Sequence, residues 1–282
     1  MSHAPFSLLL PVYRNDDATH FWQALLSSTV EQNLGPQQVV IVQDGPVGDD
    51  IAAMITRART ELPMAVDVVV NERNLGLAEA LNRGLEACRF DVVARMDADD
   101  ISLPRRFSRQ WLLIEKGYDL VGTGMIEFDD DHTVTGARRV PPVGAERIRA
   151  HARTHNPVNH PTMMYRKSAV LGVGGYEPFG SMEDYWLVVR MLQRGARLEN
   201  IADPLVAYRV GGVYERRGGV EQAKTELALQ RKLLEIGFIS RFEYVRNVVM
   251  KGVYRLLPPG VKRVLFTRFI GGGLRGDRSG RN

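Results

Sequence analysis

A chain of 282 residues with one cysteine, Cys88, can form no internal disulfide and is long enough for one large domain or two small ones. Its apolar content of 44% is that of an ordinary globular protein, and no apolar run approaches the length of a bilayer span. The start, Met1-Ser2-His3-Ala4-Pro5, lacks the basic and apolar regions of a signal peptide, so none is expected. The net charge of +4 is uneven: from Arg241 onward ten basic residues face only Glu243 and Asp277.

Residues 7–10 predict a short apolar strand stopped by Pro11. Asp16 or Asp17 caps a helix whose apolar face is Phe21, Trp22, Leu25, Leu26 and Val30. Residues 38–42 form a second strand running into Gln43-Asp44-Gly45-Pro46, a turn signature. A helix carrying Ile51, Met54, Ile55 and Ala58 follows, then a strand at 66–70 and the loop Asn71 to Gly76. From Leu77 a helix turns Ala80, Leu81, Leu85 and Cys88 inward. Val92-Val93-Ala94-Arg95-Met96 then reads as a buried strand that ends in Asp97-Ala98-Asp99-Asp100. Strands alternating with amphipathic helices imply βαβ units and a mostly parallel sheet flanked by helices.

Beyond Pro104 another helix buries Phe107, Trp111 and Ile114. Strands are expected at 119–122, 125–128 and 133–138, the last two joined by the turn at Asp129-Asp130-Asp131. A helix at 144–153, a strand at 162–165 and a helix from Lys167 to Gly172 follow. Residues 183–194 form a helix with Leu187, Val188 and Met191 inward, and strands are expected at 198–201 and 205–209. The remainder reads as a helical extension broken at Pro258-Pro259. The expected organisation is one domain over 1–215, in two halves of about 1–110 and 111–215, and a basic helical extension over 216–282.

Three carboxylates in four positions, Asp97, Asp99 and Asp100, repel one another unless a cation or hydrogen-bond donors offset the charge. Ligands in open α/β sheets bind outside the carboxyl ends of strands, where these acids and Asp44 stand. An Asp-x-Asp pair there suits Mg²⁺ or Mn²⁺ shared with substrate phosphates; the plainer alternative is a solvated acidic turn. Asp44 could accept the N3–H of a uracil or thymine ring, or serve only as a turn residue before Gly45. Asp97 could accept ribose hydroxyls. Glu183-Asp184 opens a helix, where acids are favoured by the helix dipole, but a carboxylate beside the glycines at 172, 174, 175 and 180 could also be a general base. His160 reads as structural, and His151 and His155 as surface residues. The first strand lacks a Gly-x-Gly-x-x-Gly turn, and P-loop and His-Glu-x-x-His patterns are absent, which excludes the usual glycine cradle for a dinucleotide.

In order along the chain, Leu8-Leu9-Leu10-Pro11-Val12-Tyr13-Arg14-Asn15, Val40-Ile41-Val42-Gln43-Asp44-Gly45, Asn74-Leu75-Gly76-Leu77, Met96-Asp97-Ala98-Asp99-Asp100, His160-Pro161-Thr162, Gly174-Gly175-Tyr176, Glu183-Asp184-Tyr185-Trp186 and Tyr208-Arg209-Val210 stand over residues 6–215. Together they resemble the inverting family 2 glycosyltransferases with a GT-A fold, especially those building bacterial surface polysaccharides. The resemblance implies nucleotide-sugar binding by Pro11, Tyr13, Asp44, Asn74, Asp97 and Ala98, a Mn²⁺ or Mg²⁺ ion on Asp99, and a catalytic base at Asp184 with Glu183 beside it. The chain departs from that pattern where Gln43 and Pro46 flank the Asp44 turn. It departs again where Gly211 and Gly212 stand in place of a histidine, leaving Arg216 and Arg217 to neutralise the diphosphate. The implied reaction carries a sugar from a UDP- or dTDP-sugar to a saccharide acceptor, lipid-linked in polysaccharide assembly, with inversion. A sugar-nucleotide pyrophosphorylase also uses strand-end acids and Mg²⁺ but needs a glycine-rich loop after the first strand. A non-enzymatic binding protein on the same scaffold would not need Asp97, Asp99 and Asp184. The basic tail, with Phe242, Val245, Val249, Val253 and Leu256 on one helical face, implies a cytoplasmic enzyme lying on an anionic membrane surface, or else a stripe packed on the catalytic domain.

Overall fold

A computed structural model describes residues 2–129, 134–210 and 220–256. Chain contacts divide it into two compact units, 1–229 and 230–282.

The first unit is built on a nine-stranded sheet. Strand β1 (Ser2–Val12) lies between β2 (Leu34–Asp44) and β4 (Val92–Arg95), and β3 (Ala65–Asn71) pairs with β2. These four strands are mutually parallel, as alternation with helices α1 (Ala18–Ser27), α2 (Asp49–Glu61) and α3 (Leu77–Ala87) requires. Leu8, Leu9 and Leu10 are all fully buried, because helices cover both faces of a parallel block. Strand β1 runs on past Pro11, which lies opposite Val42: a proline removes one ladder donor without ending the strand. Asp17 caps α1, accepting from the Thr19 and His20 N–H groups at 2.8 and 2.9 Å. Helix α3 comes so close to the sheet at Gly84 that an added Cβ would stand 2.3 Å from Leu9 Cδ1.

Past β4 the pairing is mixed. A two-residue strand β5 (Ile101–Ser102), not expected from sequence, precedes α4 (Arg106–Glu115). The two strands expected at 119–122 and 125–128 are one, β6 (Leu120–Phe128), and those at 198–201 and 205–209 are one, β9 (Leu198–Arg209). Each runs through a residue that argued for a break, Gly124 and Pro204, because the two strands pair with each other through register shifts at that point. Strand β7 (Val134–Arg139) flanks β6, and helix α5 (Ala145–His151) follows. The strand expected at 162–165 is instead a 3-10 turn at His160–Thr162 followed by β8 (Met164–Arg166), which bridges β4 and β6 with antiparallel pairing. Pro161 cannot donate to a ladder and occupies the first turn of the short helix. Helices α6 (Lys167–Leu171), α7 (Glu183–Gln193) and α8 (Val220–Glu235) complete the elements that begin in this unit.

A buried polar network locks the sheet where its two halves meet. Arg106 is fully buried. Its Nη2 donates to the carbonyls of Arg95 and Pro161 at 2.6 and 3.0 Å, and its Nε donates to Gln110 Oε1 at 3.2 Å. Gln110 in turn donates from Nε2 to the carbonyls of Val121 and Thr162, both at 2.7 Å. One guanidinium thus joins the end of β4 to the 3-10 turn.

In the second unit, helix α9 (Arg241–Leu256) follows a turn whose Phe238 and Ile239 are buried. Its inward residue is polar: Asn247 is buried and its Nδ2 donates to Gln230 Oε1 at 2.8 Å. Phe242, Val245, Val249 and Met250 are 55 to 77% exposed and recur at the spacing of one helical face. Val253 and Leu256 belong to the expected stripe, but their side chains lie outside the described residues.

Replacing Arg106 by Leu removes the donors while leaving two buried carbonyls without them. We expect a loss of roughly 2–4 kcal/mol of unfolding free energy, read by chemical denaturation; a loss below about 1 kcal/mol would show that the network is dispensable.

Candidate active site

The four parallel strands end along one edge of the sheet, and the side chains singled out from sequence begin there. Asp44 closes β2, nearly buried. Its Oδ1 accepts from Asn71 Nδ2 and the Leu75 N–H, both at 2.9 Å, and its Oδ2 accepts from the Gly76 N–H at 3.0 Å. Asn74 is exposed and its Nδ2 reaches the Asp44 carbonyl at 3.4 Å. Gly45 makes this closeness possible: φ is +91° and an added Cβ would stand 2.7 Å from the Asn74 nitrogen. Pro11 and Tyr13 lie half-buried at the end of β1, where the Tyr13 N–H donates to Asp16 Oδ2 at 2.9 Å.

Past β4 the chain buries Met96 and Ala98 and leaves Asp97 and Asp99 partly accessible. Arg95 is buried, and its Nη1 and Nη2 both hold the Asp97 carboxylate, the former at 2.8 Å. Asp100 is fully buried; its Oδ1 accepts from the Arg209 N–H at 2.9 Å, while the Arg209 Nε donates to the Asp99 carbonyl at 3.0 Å. Burial, and then the charge of Asp97, push the Asp99 carboxyl up to about 6. Burial and the same neighbours push Asp100 well above the usual carboxylate range. Carboxylate oxygens of Asp97, Asp99 and Asp100 lie within 4.8 Å of one another, and Asp100 Oδ2 is buried without a hydrogen-bond partner. Oxygen donors at this spacing fit a hard divalent cation such as Mg²⁺ or Mn²⁺.

Glu183 and Asp184 stand in the first turn of α7. Adjacent helical residues diverge by roughly 100°, yet both line the same cleft. Asp184 Oδ2 accepts from Asn156 Nδ2 at 2.8 Å and its Oδ1 from the Tyr185 N–H at 2.7 Å. Glu183 is buried, with Oε2 lacking a hydrogen-bond partner; burial, and then Asp184, push its carboxyl up to about 7. His160 Nδ1 lies 3.9 Å from both Glu183 Oε1 and Asp184 Oδ2. That distance exceeds a hydrogen bond, and burial followed by the charge of Arg95 holds the imidazole well below its ordinary pKa, so it is neutral near pH 7.

A cleft of about 550 Å³ gathers part of this set. Its lining includes residues 75–78, Arg95, Asp97, His160, Glu183, Asp184 and Tyr208. Asp97, Glu183 and Asp184 therefore share one cavity. Asp44 is not among the lining residues but accepts from the N–H groups of Leu75 and Gly76, which are; Asn74, Ala98 and Asp99 are not among them either. Arg216 and Arg217 lie outside the described residues. Sequence reading gave no role to Arg95, Asn156, Tyr208 or Arg209. A basic residue inside the apolar run Val92 to Met96 was the available signal for Arg95, since a buried charge needs a partner. Asn156 carried none.

A family model described as glycosyl transferase family 2 matches residues 7–173. The chain is 36% identical over 269 residues to the amylovoran biosynthesis glycosyltransferase AmsE of Erwinia amylovora, covering 93% of this chain and 98% of that one. It is 30% identical over 269 residues to the UDP-Gal:alpha-D-GlcNAc-diphosphoundecaprenol beta-1,3-galactosyltransferase of Escherichia coli, covering 94% of this chain and 96% of that one. The crystal structure of S. aureus TarS 1-349 in complex with UDP-GlcNAc matches with a TM-score of 0.65 at 16% identity, covering 98% of this chain and 77% of that one. At that identity the likeness is one of fold.

The raised Glu183 carboxyl has a consequence for stability. Its folded value lies above its ordinary one, so its contribution is fully present below about 4.5 and is lost as pH rises through about 7. Glu183→Gln abolishes that loss. The variant should melt above wild type at pH 8 by an amount equivalent to roughly 2 kcal/mol, the difference shrinking to nothing near pH 4.5. Calorimetric scans at both pH values check this; a pH-independent difference would contradict it.

Proposed function

The chain belongs to glycosyltransferase family 2, and from that membership we propose that it carries a sugar from a UDP- or dTDP-sugar to a lipid-linked saccharide, with inversion, in building a bacterial surface polysaccharide. One observation carries the reading: the Arg95-held Asp97 and the Glu183-Asp184 pair open into the same cleft of about 550 Å³. The ribose of a nucleotide-sugar donor and the hydroxyl of an acceptor need acceptor carboxylates of these two kinds on one cavity. The galactosyltransferase relative is named for a UDP-sugar donor and a diphosphoundecaprenol-linked acceptor, and TarS is described with UDP-GlcNAc, which supports the substrate classes.

In this reading about 1–110 binds the nucleotide sugar and 111–215 the acceptor. Asp44 accepts the N3–H of the base with the one lone-pair site that its three donors leave. Pro11, Tyr13, Asn74 and Ala98 line the nucleoside, and Asp97, oriented by Arg95, accepts ribose hydroxyls. Asp99, with Asp97 and Asp100 beside it, would hold Mn²⁺ or Mg²⁺; when bound, the ion neutralises charge on the leaving diphosphate. Arg216 and Arg217 keep the same assignment toward the diphosphate. Asp184 takes the proton of the acceptor hydroxyl as its oxygen attacks the anomeric carbon. The bond to the diphosphate oxygen breaks from the opposite side, and the configuration inverts in one displacement. Glu183, buried and pushed up in pKa, stays beside the base.

Incubation with a panel of UDP- and dTDP-sugars plus Mn²⁺, reading released nucleoside diphosphate, tests the donor class. Asp99→Ala should lose Mn²⁺-dependent turnover and keep its melting temperature; full activity in that variant, or in wild type with excess chelator, sinks the metal assignment. Asp184→Asn should lose about 10²–10⁴-fold in turnover and still bind UDP. A dead Glu183→Gln alongside an active Asp184→Asn would transfer the role to Glu183.

The exposed stripe of Phe242, Val245, Val249 and Met250 lies beside Arg241, Arg246 and Lys251, and no helix among the described residues is long and apolar enough to cross a membrane. Apolar residues outward and Asn247 inward suit a helix lying in an anionic membrane surface. This reading puts the enzyme on the cytoplasmic face of the inner membrane, beside a lipid-linked acceptor. Full-length protein should co-sediment with phosphatidylglycerol-containing vesicles more than with phosphatidylcholine vesicles, and a truncation before Arg241 should not. Equal recovery of the two proteins on anionic vesicles would refute it.

A further inference from the structure

We infer that Asn156 is a positioning residue for the Asp184 carboxylate, fixing which of its lone pairs faces the acceptor. The inference rests on the assignment of Asp184 as the base. Asn156 stands five residues past the end of α5, in the segment leading to the His160 turn, 28 positions before Asp184. Its Nδ2 donates to Asp184 Oδ2 at 2.8 Å. Its amide orientation is settled at the other end, where Oδ1 accepts the Val158 N–H at 3.2 Å. A flipped amide would set two donors against each other there and an oxygen against a carboxylate, so a single orientation satisfies both contacts.

The same segment is pinned to α7 a second time, by Tyr185 Oη donating to the Ala152 carbonyl at 2.8 Å. Asp184 is thus gripped on both oxygens. The Tyr185 N–H takes one site on Oδ1 and Asn156 takes one on Oδ2. Of the roughly four acceptor sites of a carboxylate, those remaining are directed by the grip rather than by free rotation of the side chain. A base needs this, because proton transfer depends on alignment with the attacking hydroxyl. A neutral donor also favours the charged form of the acid without cancelling its charge, which a Lys or Arg in that place would do.

The ionisable groups near Asp184 include Glu183 on its own helix, His160 from the 3-10 turn and Tyr176 from the preceding loop, with Arg95 and Asp97 lining the same cleft. His160 is neutral near pH 7 and Glu183 is close to half-charged there. Asn156, by contrast, is a neighbour whose effect on the base does not itself titrate.

The test is steady-state kinetics of Asn156→Ala and of the near-isosteric Asn156→Asp, with donor KM, kcat and the kcat–pH profile measured for each. Asn156→Ala should lower kcat by about tenfold, in the range of lost supporting hydrogen bonds, with donor KM within about twofold. The acidic limb of its profile should move up by about one pH unit, since a hydrogen bond to the charged form is lost. Asn156→Asp keeps the shape and replaces the donor by a second carboxylate, so its limb should move further in the same direction. Acidic limbs unchanged in both variants overturn the inference. So does a loss confined to donor KM. Asp184→Asn run in parallel separates the two levels. If it retains turnover, the base assignment has failed; if it is dead while the Asn156 variants keep the wild-type profile, only the positioning role has failed.

Discussion

Two guanidinium groups buried at the end of β4 hold this cleft in shape. Arg106 has neutral partners: the carbonyls of Arg95 and Pro161, the Gln110 amide, Met96 Sδ and Ser102 Oγ. A buried charge is tolerated where many hydrogen bonds replace its hydration. The consequence is mechanical. The strand that carries Arg95 into Asp97 and the turn that carries His160 are tied through one planar group, so the two walls of the cleft move together. Lysine could not do this, since its ammonium is a point charge on a flexible stem and lacks the fork that spans two carbonyls.

Arg95 then sorts the acids. It holds the Asp97 carboxylate with both terminal nitrogens, while Asp99, Asp100 and Glu183 are all driven toward the protonated form by burial first and by neighbouring carboxylates second. Environments that push similar groups apart in pKa are how a site assigns different tasks to the same residue type. The crowding of three acids at one strand end is unfavourable by itself, and the rise of Asp99 and Asp100 toward their neutral forms is its direct consequence.

The fold sets the frame and does not choose the chemistry. A parallel block of four strands brings chain ends to a common edge, but Asp44 illustrates how little that edge dictates. In this structure its carboxylate is largely engaged in holding the loop at 75 and 76, which is itself cleft lining. The turn-residue reading and the ligand reading of Asp44 are therefore compatible: the same carboxylate shapes the wall and has about one acceptor site beyond its three donors.

The amino-acid sequence by itself determined the parallel strands, their helices, and the position of Asp44, Asp97 and Asp99 at strand ends. Those follow from apolar runs, turn residues and spacing, which act over a few neighbours. It also placed Glu183 and Asp184 at a helix start, for the same local reason. Tertiary structure alone decided that β6 and β9 each run unbroken past Gly124 and Pro204, because each strand is the other's partner. It alone decided that His160 stands 3.9 Å from two carboxylates, that Asp99 hangs its carbonyl on Arg209, 110 residues away, and that Asn156 grips Asp184. No local pattern encodes such pairs: an asparagine in a loop has the same neighbours whether or not a carboxylate arrives from a distant helix, and only packing brings one there.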